Sequence, residues 1–276
     1  MAGTDLTRGG TRLAIVGAGR LGSALAAALR TPRTDRGQRT HREQHGPDSP
    51  SVAGLSVVGP LGRGADAAGC DVALLCVPDR EIGAAAGAIC RGTIVGHCSG
   101  ATGLGPLAPH EAFSFHPLTT VPGSGEDSAV IDLAGTPAVI DASTERAMAF
   151  AEAMALRLQM RVVHVAAENR VAYHAAASMA SNFLLAVEAA AERIGSTAGI
   201  GRDALEPLVT TTVRNWAQLG PERALTGPLA RGDEHTVALQ RATVAERTPE
   251  LLSLFDALAA ATRRLADARA APPEGR

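Results

Sequence analysis

The chain has 276 residues, enough for one large domain or two ordinary ones, and 46% of them are hydrophobic against only 3% aromatic. An alanine-rich core of that kind packs helices closely and disfavours an all-β sandwich, and a net charge of −2 excludes the basic footprint of a nucleic-acid partner. All 26 basic side chains are arginine, which excludes lysine Schiff-base chemistry and a P-loop lysine.

Residues 1–10 read as a flexible tail without a signal-peptide pattern. Leu13 to Val16 form a short apolar run of the kind expected of a buried parallel strand. It ends at Gly17-Ala18-Gly19-Arg20-Leu21-Gly22, and an alanine-rich helix is predicted over Leu21 to Leu29. A glycine turn between a strand and a helix is the context in which a dinucleotide pyrophosphate is held. Gly17 permits the tight turn, Gly19 lets the phosphates approach the backbone, and Gly22 lets the helix pack on the strand. Arg20 and Leu21 open the helix whose N-terminus faces the anion.

Residues 31–53 are almost devoid of apolar side chains and read as a long polar loop. Arg33, Arg36, Arg39 and Arg42 in it are either solvated or add positive potential near the cofactor. A second strand is predicted at Leu55 to Val58, and no acidic residue stands after it to grip an NAD ribose. Arg63 stands there instead, suited to a 2′-phosphate, so NADP is the expected cofactor and NAD an allowed one.

Asp71 to Val77 give a third strand, with Val77 and Pro78 at its carboxyl edge offering backbone contacts to the cofactor. Asp79 is a candidate N-cap for a helix through Ala88. Thr93 to Gly96 form a fourth strand, which leads into His97-Cys98-Ser99-Gly100-Ala101-Thr102-Gly103. Ser99 and Thr102 are expected to donate hydrogen bonds to a ligand, with Gly100 leaving it room. Phe113 to Phe115 lead to His116, which either faces the substrate or simply precedes a proline-fixed turn. Ala138 to Ile140, a helix over 143–158 opened by Ser143, and Val162 to Val165 complete this half.

From about residue 168 only helices are predicted: one to Ile194, one over 202–219 stopped by Gly220-Pro221, one over 234–246, and a last one capped by Thr248 with Pro249 behind it. The fold class is therefore an α/β Rossmann-type domain with a mostly parallel sheet over 11–165, then an all-α domain over 166–276. On the first long helix, His174, Ser178 and Asn182 recur every four residues and form one polar stripe. Imidazole titrates near neutrality, so His174 suits a general acid, with Ser178 and Asn182 orienting a substrate. Arg231, in the turn Thr226-Gly227-Pro228 to Gly232-Asp233, either clamps a substrate anion or forms a surface pair with Asp233. Cys70, Cys76, Cys90 and Cys98 show no metal-ligand spacing, and Cys76 reads as core; no metal site is expected.

Gly17 to Gly22, His97 to Ala101, His116-Pro117-Leu118, Tyr173 to Asn182 and Thr226 to Asp233 together resemble a bacterial family of oxidoreductases. Its members join a Rossmann-like NAD(P)-binding domain to a helical C-terminal domain of uncharacterised function. The layout is more distantly similar to pyrroline-5-carboxylate reductases and β-hydroxyacid dehydrogenases. The latter place a catalytic lysine one helical turn before an asparagine; here Asn182 matches the asparagine, but Ser178 stands where the lysine would be. The resemblance implies NADP-dependent reduction of a small carbonyl or imine compound by a homodimer joined through the helical domain. A non-enzymatic NADP sensor and a deazaflavin-binding variant are the alternatives. No nucleic-acid or membrane partner is expected, and the expected location is the cytoplasm.

Overall fold

The computed structural model describes residues 10–31, 54–121 and 131–270. The tail over residues 1–9 and the loop arginines Arg33, Arg36, Arg39 and Arg42 lie outside the described residues. The chain divides into two units, Met1–Met179 and Ala180–Arg276.

The first unit is built on seven strands: β1 (Arg12–Val16), β2 (Ser56–Leu61), β3 (Val72–Leu75), β4 (Ile94–His97), β5 (Ala112–Pro117), β6 (Pro137–Ala142) and β7 (Arg161–His164). Their order across the sheet is β2-β1-β3-β4-β5-β6-β7. Every neighbouring pair is parallel except β5 with β6, so the expected mostly parallel sheet is present. Strand order reverses between β1 and β3, and in open sheets of this kind ligands bind beyond the carboxyl ends of the strands at that switch point.

Side chains alternate across a strand, so β1 feeds two cores at once. Leu13 and Ile15 point to one face, where Leu25 and Leu29 of α1 (Arg20–Arg30) and Phe150 and Met154 of α3 (Glu145–Arg157) cover them. Ala14 and Val16 point to the other, packed with Ile82 and Ala86 of α2 (Ile82–Ala88). Leu21, Leu25 and Leu29 fall one turn apart, which is why α1 presents a continuous apolar stripe to the sheet. Phe113 and Phe150 meet edge to face with ring centroids 5.8 Å apart, a geometry worth about 0.5–1.5 kcal/mol beyond the buried area.

Two predicted caps change roles. Thr144, not Ser143, caps α3 by accepting the Ala147 N–H. The Ser143 hydroxyl instead accepts the N–H of Ala112 at the start of β5. Asp79 is not an N-cap: Pro78 holds that position, and Asp79 begins a short 3-10 turn ahead of α2.

After β7 a 3-10 turn leads into α4 (Arg170–Ser178), which passes through a π-helical segment, Met179–Phe183, into α5 (Leu184–Ser196). A π segment bonds i to i+5 and so adds a residue to its turn. The four-residue step from Ser178 to Asn182 crosses it, and the uniform α-helical stripe expected of His174, Ser178 and Asn182 does not hold there.

The second unit contains α5, α6 (Arg202–Leu219), α7 (Pro221–Ala224), α8 (Glu234–Arg247) and α9 (Leu252–Ala270). Gly220 stops α6 with φ +78°, a conformation that suits glycine. Asp233 caps α8 by accepting the Thr236 N–H, and the hydrogen bond from the Thr236 hydroxyl, with that amide after it, holds its carboxyl below the usual range. Thr248 stands at the N-cap position with Pro249 behind it, but its hydroxyl donates back to the Val244 carbonyl and accepts no N–H of the helix it opens. Val237, Val244 and Ala259 are buried, whereas Leu185, Leu208 and Trp216 stay 66%, 64% and 57% exposed. Among the described residues no helix is long and apolar enough to cross a membrane.

Candidate active site

The end of β1 is shaped by contacts that only glycine permits. Gly17 has φ +113°, and a Cβ on it would lie 2.3 Å from the Cys76 carbonyl oxygen. A Cβ on Gly22 would lie 2.0 Å from the Gly17 carbonyl oxygen, so the turn closes on itself. Gly19 differs, because a Cβ there would meet no atom within 4 Å. No contact among the described residues requires glycine at that position. Gly19 has no side chain with which to cap α1, and no acidic residue stands in the first turn. The amides at that helix end are thus presented to any anion that approaches.

Gly19, Arg20 and Leu21 line a cleft of about 310 Å³ at the switch point, together with Cys76, Val77, Asp79, Cys98, Ser99 and Val121. That volume falls at the lower end of the range for ligand pockets, enough for part of an extended ligand. Cys76, expected in the core, is half-buried on its floor, with its Sγ 3.6 Å from that of Cys98. The hydrogen bond with Cys76, and after it burial, pushes the Cys98 thiol well above its usual range, so it stays protonated. Val77 and Ser99 line the cleft, and Arg63 lies just past β2, exposed and 3.3 Å from Glu81. An exposed ion pair of this kind is worth about 0–1 kcal/mol.

The loop after β4 is held by its own polar groups. The Ser99 hydroxyl donates to Asp79 Oδ2 at 2.7 Å and accepts the N–H groups of Ala101 and Thr102. The Thr102 hydroxyl also donates to Asp79, at 3.2 Å. The hydroxyl protons expected to meet a ligand are therefore committed to Asp79, and it is the Asp79 carboxylate that lines the cleft. His97 accepts the Ser99 N–H at Nδ1, so its Nε2 donates to the Gly103 carbonyl. Burial lowers its pKa and keeps this ring neutral.

Beyond Gly100 lies a group of rings of which the sequence revealed only part. His116, at the end of β5, faces Tyr173 and His174 on α4. His116 Nδ1 is 2.6 Å from the Tyr173 hydroxyl. The His116 ring centroid is 5.7 Å from that of Tyr173 and 6.1 Å from that of His174, both edge to face. A Cβ on Gly100 would come within 2.7 Å of His174 and 3.0 Å of His116, so glycine is what lets the cleft-lining loop lie against both rings. Burial, then electrostatic interaction with His174 and with the Arg170 guanidinium, lowers the His116 pKa to about 4. Burial raises that of Tyr173.

Arg170 organises this group and was missed from sequence, where an arginine beginning a helix reads as solvated. It is only 2% exposed. Its Nη1 donates to Ser114 Oγ at 3.0 Å and its Nη2 to the Ser99 carbonyl at 3.1 Å, with Asp141 at 3.8 Å. It thereby ties the cleft loop and β5 to α4. Tyr173 was also missed as a site residue, although it is the single tyrosine of the chain and neighbours His174. Ser178 is half-buried at the end of α4; Asn182 belongs to the π segment of the second unit, and Arg231 is exposed in the second unit's 3-10 turn Leu229–Arg231.

A glycine turn at the switch point of a mostly parallel sheet, with helices after it, defines the class as a Rossmann-type protein with a helical C-terminal region. Residues 2–122 match the model of a Rossmann-like domain and residues 136–262 match that of a domain of unknown function, DUF2520. The second match begins at β6, inside the sheet. No curated protein matches the sequence. Among solved structures the fold is similar to BF3122 of Bacteroides fragilis, a candidate NADP oxidoreductase, with TM-score 0.70, 21% identity, and 92% of this chain and 98% of that one covered. It is similar to protein TM1727 of Thermotoga maritima, with TM-score 0.66, 24% identity and coverage of 94% and 100%. It is also similar to the imine reductase of Myxococcus stipitatus in complex with NADP+, with TM-score 0.57, 18% identity and coverage of 93% and 94%.

Proposed function

We propose that the protein is an NADP-dependent oxidoreductase that reduces a small carbonyl or imine compound. The observation that carries this reading is Gly19: it lines the cleft, and its lack of a side chain serves no contact among the described residues. A bound pyrophosphate gives that glycine a purpose. Gly17, Gly22 and the first turn of α1 would hold the phosphates, Arg20 and Leu21 would border them, and Arg63 would meet the 2′-phosphate. Val77, Pro78, Ser99 and Gly100 would line the nicotinamide end. NADPH bound there supplies a hydride. The names of the Bacteroides and Myxococcus neighbours and of the Plasmodium falciparum pyrroline carboxylate reductase with NADP bound support the cofactor and the reaction class.

In this reading residues 11–165 bind the dinucleotide, while residues 166–276 contact substrate and form a homodimer. His116 and His174 border the substrate, and Ser178, one helical turn beyond His174, orients it. The exposed Leu185, Leu208 and Trp216 support the dimer, because soluble monomers seldom leave so much apolar surface uncovered. Free cysteines at all four positions suit the reducing cytoplasm.

Titration of NADPH and NADH by fluorescence tests the proposal. NADPH should bind tighter by about 1.5–3 kcal/mol, the worth of a charge-assisted hydrogen bond. Gly19→Val should abolish binding without lowering the melting temperature. Undiminished NADPH affinity in that variant refutes the assignment of the cleft.

A further inference from the structure

We propose that Tyr173 is the proton donor of this reduction and that His116 returns a proton to it through Nδ1. The inference rests on the reductase reading and moves the donor role from His174 to its neighbour. Its ground is the 2.6 Å contact between His116 Nδ1 and the Tyr173 hydroxyl, with the His116 ring lying against Gly100, the residue after cleft-lining Ser99.

The groups facing His116 are Tyr173, His174 and Arg170 from α4, and Asp79 and His97 from the sheet edge, with Asp141 behind Arg170. The cationic influence of Arg170 is built in, since its side chain is buried and fixed between Ser114 and the Ser99 carbonyl. Burial first, with that cation adding to it, disfavours charge on His116; at Tyr173 burial raises the pKa and the Arg170 cation partly offsets it. His116 is therefore neutral at pH 7, and a neutral imidazole conducts: one ring nitrogen takes a proton while the other gives one.

Each step conserves atoms and charge. The C=O or C=N carbon receives a hydride, the π bond breaks, and its electron pair goes to the oxygen or nitrogen. That atom takes the proton of the Tyr173 hydroxyl. The phenolate oxygen takes the proton on His116 Nδ1, and His116 recovers one from water at Nε2. One proton from solvent is consumed with each hydride from the reduced dinucleotide.

Tyr173 is the only tyrosine, so the near-ultraviolet absorbance of tyrosinate reports this hydroxyl alone. The test titrates wild type, His116→Phe and His116→Asn without cofactor, with circular dichroism to verify folding. If His116 donates to the phenolate, His116→Phe should require an about tenfold lower proton concentration to ionise Tyr173. His116→Asn, whose amide places a donor near the Nδ1 position, should restore the wild-type midpoint. An unchanged or easier ionisation in His116→Phe overturns the relay. In parallel, NADPH oxidation is monitored with a five-membered cyclic imine as probe. Tyr173→Phe should keep NADPH affinity and lose about 10²–10⁴ in turnover. Wild-type turnover in Tyr173→Phe overturns the donor role. NADPH binding without turnover by the wild type overturns the reductase reading and the donor role with it, while the titration still decides the pairing.

Discussion

Acid should weaken this fold through one histidine. Burial, then electrostatic interaction with His174 and Arg170, lowers the His116 pKa from 6.5 to about 4. The folded state therefore resists a proton that the unfolded chain accepts, and between those two values the unfolded state carries more bound protons. Stability then rises with pH across the window, is complete above 6.5, and is lost on acidification towards pH 4. The two values imply a loss of about 2 kcal/mol by pH 5 and about 3 kcal/mol by pH 4, relative to pH 7. Carboxylates and His97 add their own acid sensitivity, so the comparison must be a difference. Urea unfolding of wild type and His116→Asn at pH 7, 5 and 4 isolates it, because the other groups contribute to both proteins. The wild type should lose more stability than the variant by those amounts. Parallel pH dependence in the two proteins would show that His116 is not held neutral by the fold.

The glycine turn offers a sharper contrast. Gly22→Ala drives a Cβ against the Gly17 carbonyl oxygen and should cost about 1–3 kcal/mol, read as a lower melting temperature; Gly19→Val should leave melting unchanged, and a drop there would mean the turn is packed more tightly than its open surroundings indicate. Multi-angle light scattering at micromolar concentration should report a dimer, and Trp216→Arg should convert it to a helical monomer; a monomeric wild type refutes the dimer.

Much of this was legible in the sequence where a requirement is local. The first glycine turn demands a backbone that only glycine supplies, and the stop of α6 at Gly220 obeys the same logic. The parts that were not legible depend on partners far along the chain. Ser143 and Thr144 are adjacent hydroxyls, and only the approach of Ala112 decides which one caps α3. Asp79 has a capping residue's chemistry but turns to Ser99 and Thr102, 20 and 23 residues away. The stripe of His174, Ser178 and Asn182 assumed an unbroken 3.6-residue period, and the π segment breaks it. Arg170 carried no local sign of burial, since the acceptors that satisfy it come from β5 and from the loop after β4.

The reversal of direction between β5 and β6 has a geometrical outcome of its own. Because β6 and β7 run against β5, the chain leaves β7 at His164, level through Ile140 with Phe115 in the middle of β5, and α4 then follows. Arg170 meets Ser114, and three residues later Tyr173 meets His116. Two residues of strand rise about 6.6 Å, and three to four residues of helix rise about 4.5–6 Å. Strand and helix thus act as two scales read against each other, with matching marks at 114 and 170 and again at 116 and 173. A single residue inserted between either pair of marks would keep every side chain yet bring the wrong ones together.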